Sequence, residues 1–200
     1  MFRRLFPLGI ACFFLAVAGQ GWPGAAQPTA GGDAVAATRP RAWAQPLSLA
    51  GVPNLNKVTD SLYRSAQPTA EGMKNLEALG IRKVINLRAF HSDSDEVAGT
   101  TLLNEELSVK TWHIEDEDVV RVLRIVKEPA NGPYLIHCLH GADRTGTVIA
   151  MYRMVVQEWP REEAIEELVD GGYGFHSIWW NILTYLKDVD VQAIRSQVVR

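Results

Sequence analysis

Apolar residues in this chain fall into short continuous runs and longer stripes at helical spacing, and from about residue 58 the two alternate. Val58 to Arg64 reads as an entry hairpin or short strand pair. Pro68-Thr69 opens a helix with Met73, Leu76 and Leu79 along one side and Gly80 just past its end. Ile81 to Leu87 contains Val84-Ile85 and reads as a central parallel strand. Leu103, Glu105, Leu107, Val109 and Thr111 alternate with polar partners, the pattern of an edge strand with one buried face that Glu105 interrupts. An apolar helix over Val119–Val126 follows, and Gly132-Pro133 then introduces the buried strand Tyr134-Leu135-Ile136. Val148, Ile149, Met151, Tyr152, Val155 and Val156 recur at helical spacing from Thr145 onward. After Trp159-Pro160, a further helix turns Ala164, Ile165, Leu168 and Val169 inward and Arg161, Glu162, Glu163, Glu166 and Glu167 outward, ending at Gly171-Gly172. Ile178, Ile182, Leu183, Tyr185 and Leu186 mark a last helix, and Tyr173, Phe175, Trp179 and Trp180 around its start are expected in the core. The expected architecture is α/β, a short, mainly parallel central sheet flanked by helices on both sides.

The N-terminus is organised differently. Met1 to Arg4 is basic, and Leu5 to Ala18 is apolar, broken only by Pro7 and glycine. Ala16-Val17-Ala18 and Gly24-Ala25-Ala26 offer small-residue cleavage sites, so residues 1–26 read as a secretory signal peptide. An uncleaved anchor is the alternative, although the run falls short of the ~20 residues that span a bilayer comfortably. Residues 27–53, rich in Ala, Gly, Pro, Gln and Thr, read as a linker, 54–190 as one domain, and 191–200 as a loose or helical tail. The sequence leaves open whether Trp43 to Leu49 packs on the domain. A net charge of −3 with both signs interspersed offers no nucleic-acid surface. Histidines and cysteines are scattered along the chain, so no metal and no cofactor is expected.

The chemistry concentrates between the buried strand Tyr134-Leu135-Ile136 and the helix after it, in His137-Cys138-Leu139-His140-Gly141-Ala142-Asp143-Arg144-Thr145-Gly146. Free N–H groups at a helix start, with the helix dipole behind them, attract an anion. Arg144 adds a planar fork suited to two phosphate oxygens. Cys138 sits in the same positive field, which favours its thiolate, and a thiolate facing a phosphate can attack phosphorus. The only other cysteine, Cys12, leaves with the signal peptide, so the mature chain has no intramolecular disulfide to make.

Cys-x5-Arg followed by Thr-Gly, with His before the Cys, resembles the cysteine-dependent protein tyrosine and dual-specificity phosphatases. Tyr63-Arg64-Ser65-Ala66-Gln67-Pro68, the later Leu-Gly-Ile, and Val84-Ile85-Asn86-Leu87-Arg88 resemble them too. The likeness spans roughly residues 54–190 and is closest to atypical bacterial dual-specificity enzymes exported to the periplasm. It implies the protein tyrosine phosphatase-like fold, a periplasmic location and a reaction through a cysteinyl-phosphate. It makes Cys138 the nucleophile, with Arg144 and the N–H groups of Leu139, His140, Gly141, Ala142 and Asp143 binding phosphate. His137 would fix the loop and tune the thiolate, and the Thr145 hydroxyl would hydrogen-bond the sulfur and ease breakdown of the intermediate.

The general acid is where the chain departs from this pattern. Trp112 stands where an exported relative has its aspartic acid, and Glu115-Asp116-Glu117-Asp118 begins a few residues later. Asp116 is the first candidate in that cluster, although carboxylates at a helix start also complement its dipole. Asp143 is the second: myotubularins carry Asp at the corresponding loop position, but an outward-facing side chain with a loop-stiffening hydrogen bond is the competing role. His113 and His140 rank below both. Arg64 and Arg88 are expected in local ion pairs or hydrogen bonds, and His91 to Glu96 in a solvated polar loop.

Phosphotyrosine in a protein is the expected substrate, with phosphoserine and phosphothreonine open, because a phenolate leaves well even when the acid is poorly placed. Inositol phosphates and other non-protein phosphoesters are the alternative, disfavoured by the lack of a lysine in the loop. A phospho-ligand binding module without turnover is the third reading, and it leaves the thiol unexplained.

Overall fold

The computed structural model describes residues 42–199; the proposed signal peptide and most of the expected linker lie outside them. Six strands form one sheet: β1 (Gln45–Pro46), β2 (Asn56–Lys57), β3 (Leu62–Ser65), β4 (Lys83–Arg88), β5 (Leu103–Val109) and β6 (Tyr134–His137). Their order is β1-β2-β3-β6-β4-β5, with β3, β6, β4 and β5 parallel and the two short outer strands antiparallel. Among the described residues six α-helices accompany them: α1 (Ala70–Leu79), α2 (Asp116–Val126), α3 (Asp143–Val155), α4 (Arg161–Asp170), α5 (Trp180–Asp188) and α6 (Val191–Val199). No helix among the described residues is long and apolar enough to cross a membrane.

Strand alternation assigns the two faces. Leu135 and Val84 point to one side, where Met73 and Leu76 of α1 cover them together with Val52, Leu55, Ile81 and Leu102. Tyr134, Ile136, Ile85 and Leu87 point to the other, against α2 to α6. The short, mainly parallel sheet with helices on both faces is therefore the observed fold. α1 begins at Thr69, whose hydroxyl accepts from Gly72 N at 3.1 Å, and ends at Gly80 with φ 99°. α3 is buried over nearly its whole length, because the sheet lies under it and helices surround it.

Register brings the site together. Ser65 and Asn86 both pair with His137, so the carboxyl ends of β3, β4 and β6 lie side by side. Ligands of open α/β sheets bind beyond such ends.

Three expectations are corrected. Residues 43–53 belong to the domain and are not linker: Ala44 is buried, its N–H donates to Glu167 Oε1 at 2.7 Å, and Val52 joins the α1 core. Residues 191–199 take the helical alternative as α6 but are packed on the domain and not a tail, with Ile194 and Val198 buried one turn apart and Arg195 donating to the Met154 and Val155 carbonyls at the end of α3. Glu167, assigned to a wet face, is 1% exposed because Arg153 Nε and Nη2 hold its two oxygens at 2.7 and 2.8 Å.

Candidate active site

β6 ends at His137, α3 begins at Asp143, and Cys138 to Ala142 form the loop between them. Gly141 has φ 68°, and a Cβ there would run into the Ser65 backbone, so the close approach of the loop to β3 requires glycine. Three successive loop carbonyls are held from outside. Leu139 O accepts from Gln67 N at 3.3 Å, His140 O from Asn54 Nδ2 at 3.0 Å, and Gly141 O from Arg64 Nη2 at 2.7 Å. In a planar trans peptide the N–H points opposite the C=O. Fixing these carbonyls outward therefore turns the N–H groups of His140, Gly141 and Ala142 toward the loop centre, where the α3 dipole adds to their field.

The side chains under the loop complete an anion cradle. Five of the seven buried side-chain polar atoms without a hydrogen-bond partner among the described residues belong to Arg64, His137, Arg144 and Thr145. Such orphaned atoms are uncommon in folded proteins, and their concentration around one loop marks a site built for a ligand. Arg144 is anchored by Nη1 to Leu87 O at 3.3 Å, which leaves Nε unpaired. Arg64 is 1% exposed and stacks on the Tyr173 ring at 3.9 Å. Burial pushes its guanidinium down to about 10, opposed by Tyr173, Glu167 and Cys138, so it remains charged at neutral pH. The local hydrogen bond expected of Arg64 is thus a brace on the loop itself. Cys138 is a free thiol, 2% exposed.

His137 is positioned by a residue assigned to open loop. Asp93 is fully buried and its Oδ2 lies 2.6 Å from His137 Nε2, while Gln67 Nε2 donates to Oδ1 at 2.9 Å. Burial alone would push the Asp93 carboxyl up, but the hydrogen bond and charge of His137, with Gln67 and His91, outweigh it and hold it below the usual carboxylate range. A carboxylate acceptor fixes the hydrogen on Nε2 and leaves Nδ1 as the buried, unpartnered nitrogen. Gln67 also accepts from Arg88 Nη1 at 2.9 Å, which joins β4 to the same network. In the polar run from His91 to Glu96 nothing distinguishes the one carboxylate that turns inward.

The candidate acids separate. Asp116 opens α2 and its Oδ1 accepts from Tyr185 OH at 2.9 Å. Burial, then that hydrogen bond, pushes the Tyr185 hydroxyl up, so it stays a donor. His113 lies 3.2 Å from Glu115 on the surface, and Trp112 is 59% exposed. Asp143 directly follows the loop as the first residue of α3 and is 6% exposed, with the His176 backbone N–H donating to Oδ1 at 2.9 Å and His176 Nδ1 at 2.9 Å from Oδ2. Asp143 thus makes hydrogen bonds but is enclosed, not outward-facing as the competing role had it, and its partner was missed because a lone histidine after Gly-Tyr-Gly-Phe carries no local signal. Thr145 is wholly buried in the first turn of α3, where its hydroxyl has no partner and forms no hydrogen bond to the Cys138 sulfur.

Histidines scattered in sequence also converge in space. His140, Asp143 and His176, and separately His91, Asp93 and Glu96, each bring their ligand atoms within 4.8 Å of one another, close enough to share a metal ion.

Comparison with known proteins decides the family: residues 52–170 match the tyrosine phosphatase family. The chain belongs to it. The dual-specificity protein phosphatase TpbA of Pseudomonas aeruginosa is 36% identical over 163 residues, 80% of this chain and 72% of TpbA. Its crystal structure superposes with a TM-score of 0.73 at 32% identity, covering 82% of this chain and 100% of that one. A cysteine-to-serine variant of TpbA in complex with phosphotyrosine gives 0.72 at 32% identity, with 82% and 99% covered. Inositol diphosphatase DSP5 of Arabidopsis thaliana is 30% identical over 125 residues, 58% of this chain and 60% of that protein. The chain is accordingly a phosphatase of the cysteine-dependent, dual-specificity branch, with the fold its sequence resemblance implied.

Proposed function

We propose that this phosphatase acts on phosphorylated proteins, phosphotyrosine first, through a covalent phosphate on Cys138. The observation that carries the reading is the set of outward-held carbonyls at Leu139, His140 and Gly141, which aims consecutive N–H groups at one point above the sulfur's loop. An anion held there has its phosphorus facing Cys138. The thiolate forms the S–P bond as the P–O bond to the leaving group breaks, and water then releases phosphate. Arg144, its Nη1 already tethered to Leu87 O, keeps Nε for the equatorial oxygens, where charge accumulates in the transition state. The phosphotyrosine complex of TpbA supports the choice of substrate. An inositol polyphosphate would need further cations, and the loop from Leu139 to Asp143 supplies no lysine and one buried carboxylate.

The test is a parallel assay of phosphotyrosine peptides, phosphoserine peptides and inositol pyrophosphates. kcat/KM is expected to be highest on phosphotyrosine and lost in Cys138→Ser, whose phosphate binding survives. A higher kcat/KM on the inositol substrates would refute the assignment.

A further inference from the structure

The phosphatase reaction needs a proton for the leaving oxygen, and the structure leaves an unusual set of groups to give it. Trp112, which the family resemblance puts in the place of the aspartic acid, is exposed and has no acidic proton to give. Asp116 is engaged by the Tyr185 hydroxyl at 2.9 Å, on the opening turn of α2. Asp143 does adjoin the phosphate loop, at the first position of α3, but it is 6% exposed and both its oxygens are occupied by His176. A carboxylate so enclosed is poorly placed to reach a leaving group. It is well placed to hold an imidazole.

His176 belongs to the loop between α4 and α5, and that loop is fastened to the phosphate loop twice. Asn54 Nδ2 donates both to His140 O at 3.0 Å and to Tyr173 O at 2.9 Å, and the His176 backbone N–H donates to Asp143. Because Asp143 accepts at Oδ2, Nδ1 of His176 carries a hydrogen, and Nε2 becomes the nitrogen free for proton transfer. The His176 side chain is 47% exposed while its carboxylate partner is nearly enclosed, so the ring stands between the buried carboxylate and solvent. Its centroid lies 5.2 Å from that of His140, a residue of the phosphate loop. A carboxylate that fixes the tautomer and orientation of a histidine is a recurring arrangement for acid–base catalysis.

We propose that His176 is the general acid of this phosphatase, with Asp143 as its positioning residue. This rests on the reading of Cys138 as nucleophile. In the first step the S–P bond forms, the P–O bond breaks, and the Nε2 proton of the protonated ring passes to the departing oxygen, leaving neutral imidazole and a free alcohol or phenol. In the second step the same nitrogen takes a proton from the attacking water as the new P–O bond forms and the S–P bond breaks. That restores the thiolate and the protonated ring.

The test measures kcat/KM of wild type, His176→Gln, Asp143→Asn and Cys138→Ser on aryl phosphates with good and poor leaving groups. Metal-free enzyme is used, each variant being checked by thermal melting. His176→Gln is expected to stay within a few-fold of wild type on a dinitrophenyl phosphate, and to lose roughly 100-fold or more on phenyl phosphate, the range of a general acid. Asp143→Asn should lose less, in the same pattern, and imidazole added to His176→Ala should restore turnover of phenyl phosphate. An equal loss on both substrates, or no loss on phenyl phosphate, would overturn the proposal. So would a wild-type rate that itself falls steeply with leaving-group pKa, a result that needs no variant. Loss of wild-type activity on chelation, restored by zinc, would also overturn it, because His140, Asp143 and His176 would then be holding a metal. Activity remaining in Cys138→Ser would instead contradict the nucleophile, which keeps the two failures apart.

Discussion

At the residue scale the site depends on buried polar pairs whose members are far apart in sequence. Asp93 and His137 are both fully buried, and their 2.6 Å contact connects the β4–β5 loop to the residue before the nucleophile. Each member compensates the cost of burying the other, so removing one leaves an unsatisfied partner, worth about 1–3 kcal/mol. The Asp93 carboxyl is held below its ordinary range, so the unfolded chain binds that proton more readily than the folded one. Its contribution to stability is therefore complete above about pH 4 and is lost as pH falls through the depressed folded value. Asp93→Asn is expected to lower the melting temperature at neutral pH and to flatten the acid side of the stability profile. Thermal melts from about pH 3 to pH 7 check this, and an acid slope identical to wild type would refute it. Arg64 illustrates the opposite balance: burial works against its charge, and what the fold gains is a donor on the Gly141 carbonyl.

At the scale of elements, the hydrophobic pattern specified most helices and strands because each buries a face that its own residues define. What it could not specify was how polar groups are shared between elements. Glu167 has the spacing of a solvated helix face, yet α4 turns it onto Arg153 of α3, and its Oε1 also accepts from Ala44 N beside β1. One carboxylate thus ties two helices to the outer edge of the sheet, which is why residues 43–46 pack as part of the domain. Glu167→Ala leaves Arg153 charged in a buried site, a change that costs about 3–5 kcal/mol. Urea denaturation should show that loss, and hydrogen exchange should show the Ala44 amide losing protection. An unchanged Ala44 exchange rate would mean that the segment is held by other contacts.

At the scale of the whole molecule, legibility follows contiguity. The loop from His137 to Gly146 could be read because nucleophile, amide cradle and arginine lie within ten consecutive residues, and the flanking strand and helix are dictated by the same stretch. Arg64, Asp93, Asn54 and His176 reach that loop from positions 33 to 86 residues away, brought there by the register of β3, β6 and β4 and by three connecting loops. Apart from the family-like stretch around Arg64, nothing local marks them, since a polar residue bound for a buried pair looks in sequence like one bound for water. Asp143 was visible as a candidate, but its meaning depends on His176, which the sequence separates from it by two helices. The nucleophile underlies every step, and it can be observed directly. Wild-type enzyme should be mixed with a phosphotyrosine peptide, quenched in acid within milliseconds and analysed by mass spectrometry for phosphate on the peptide containing Cys138. A phosphorylated Cys138 that forms and decays at the turnover rate is the expected result. Full-speed turnover with no phosphate ever found on that sulfur would contradict the account.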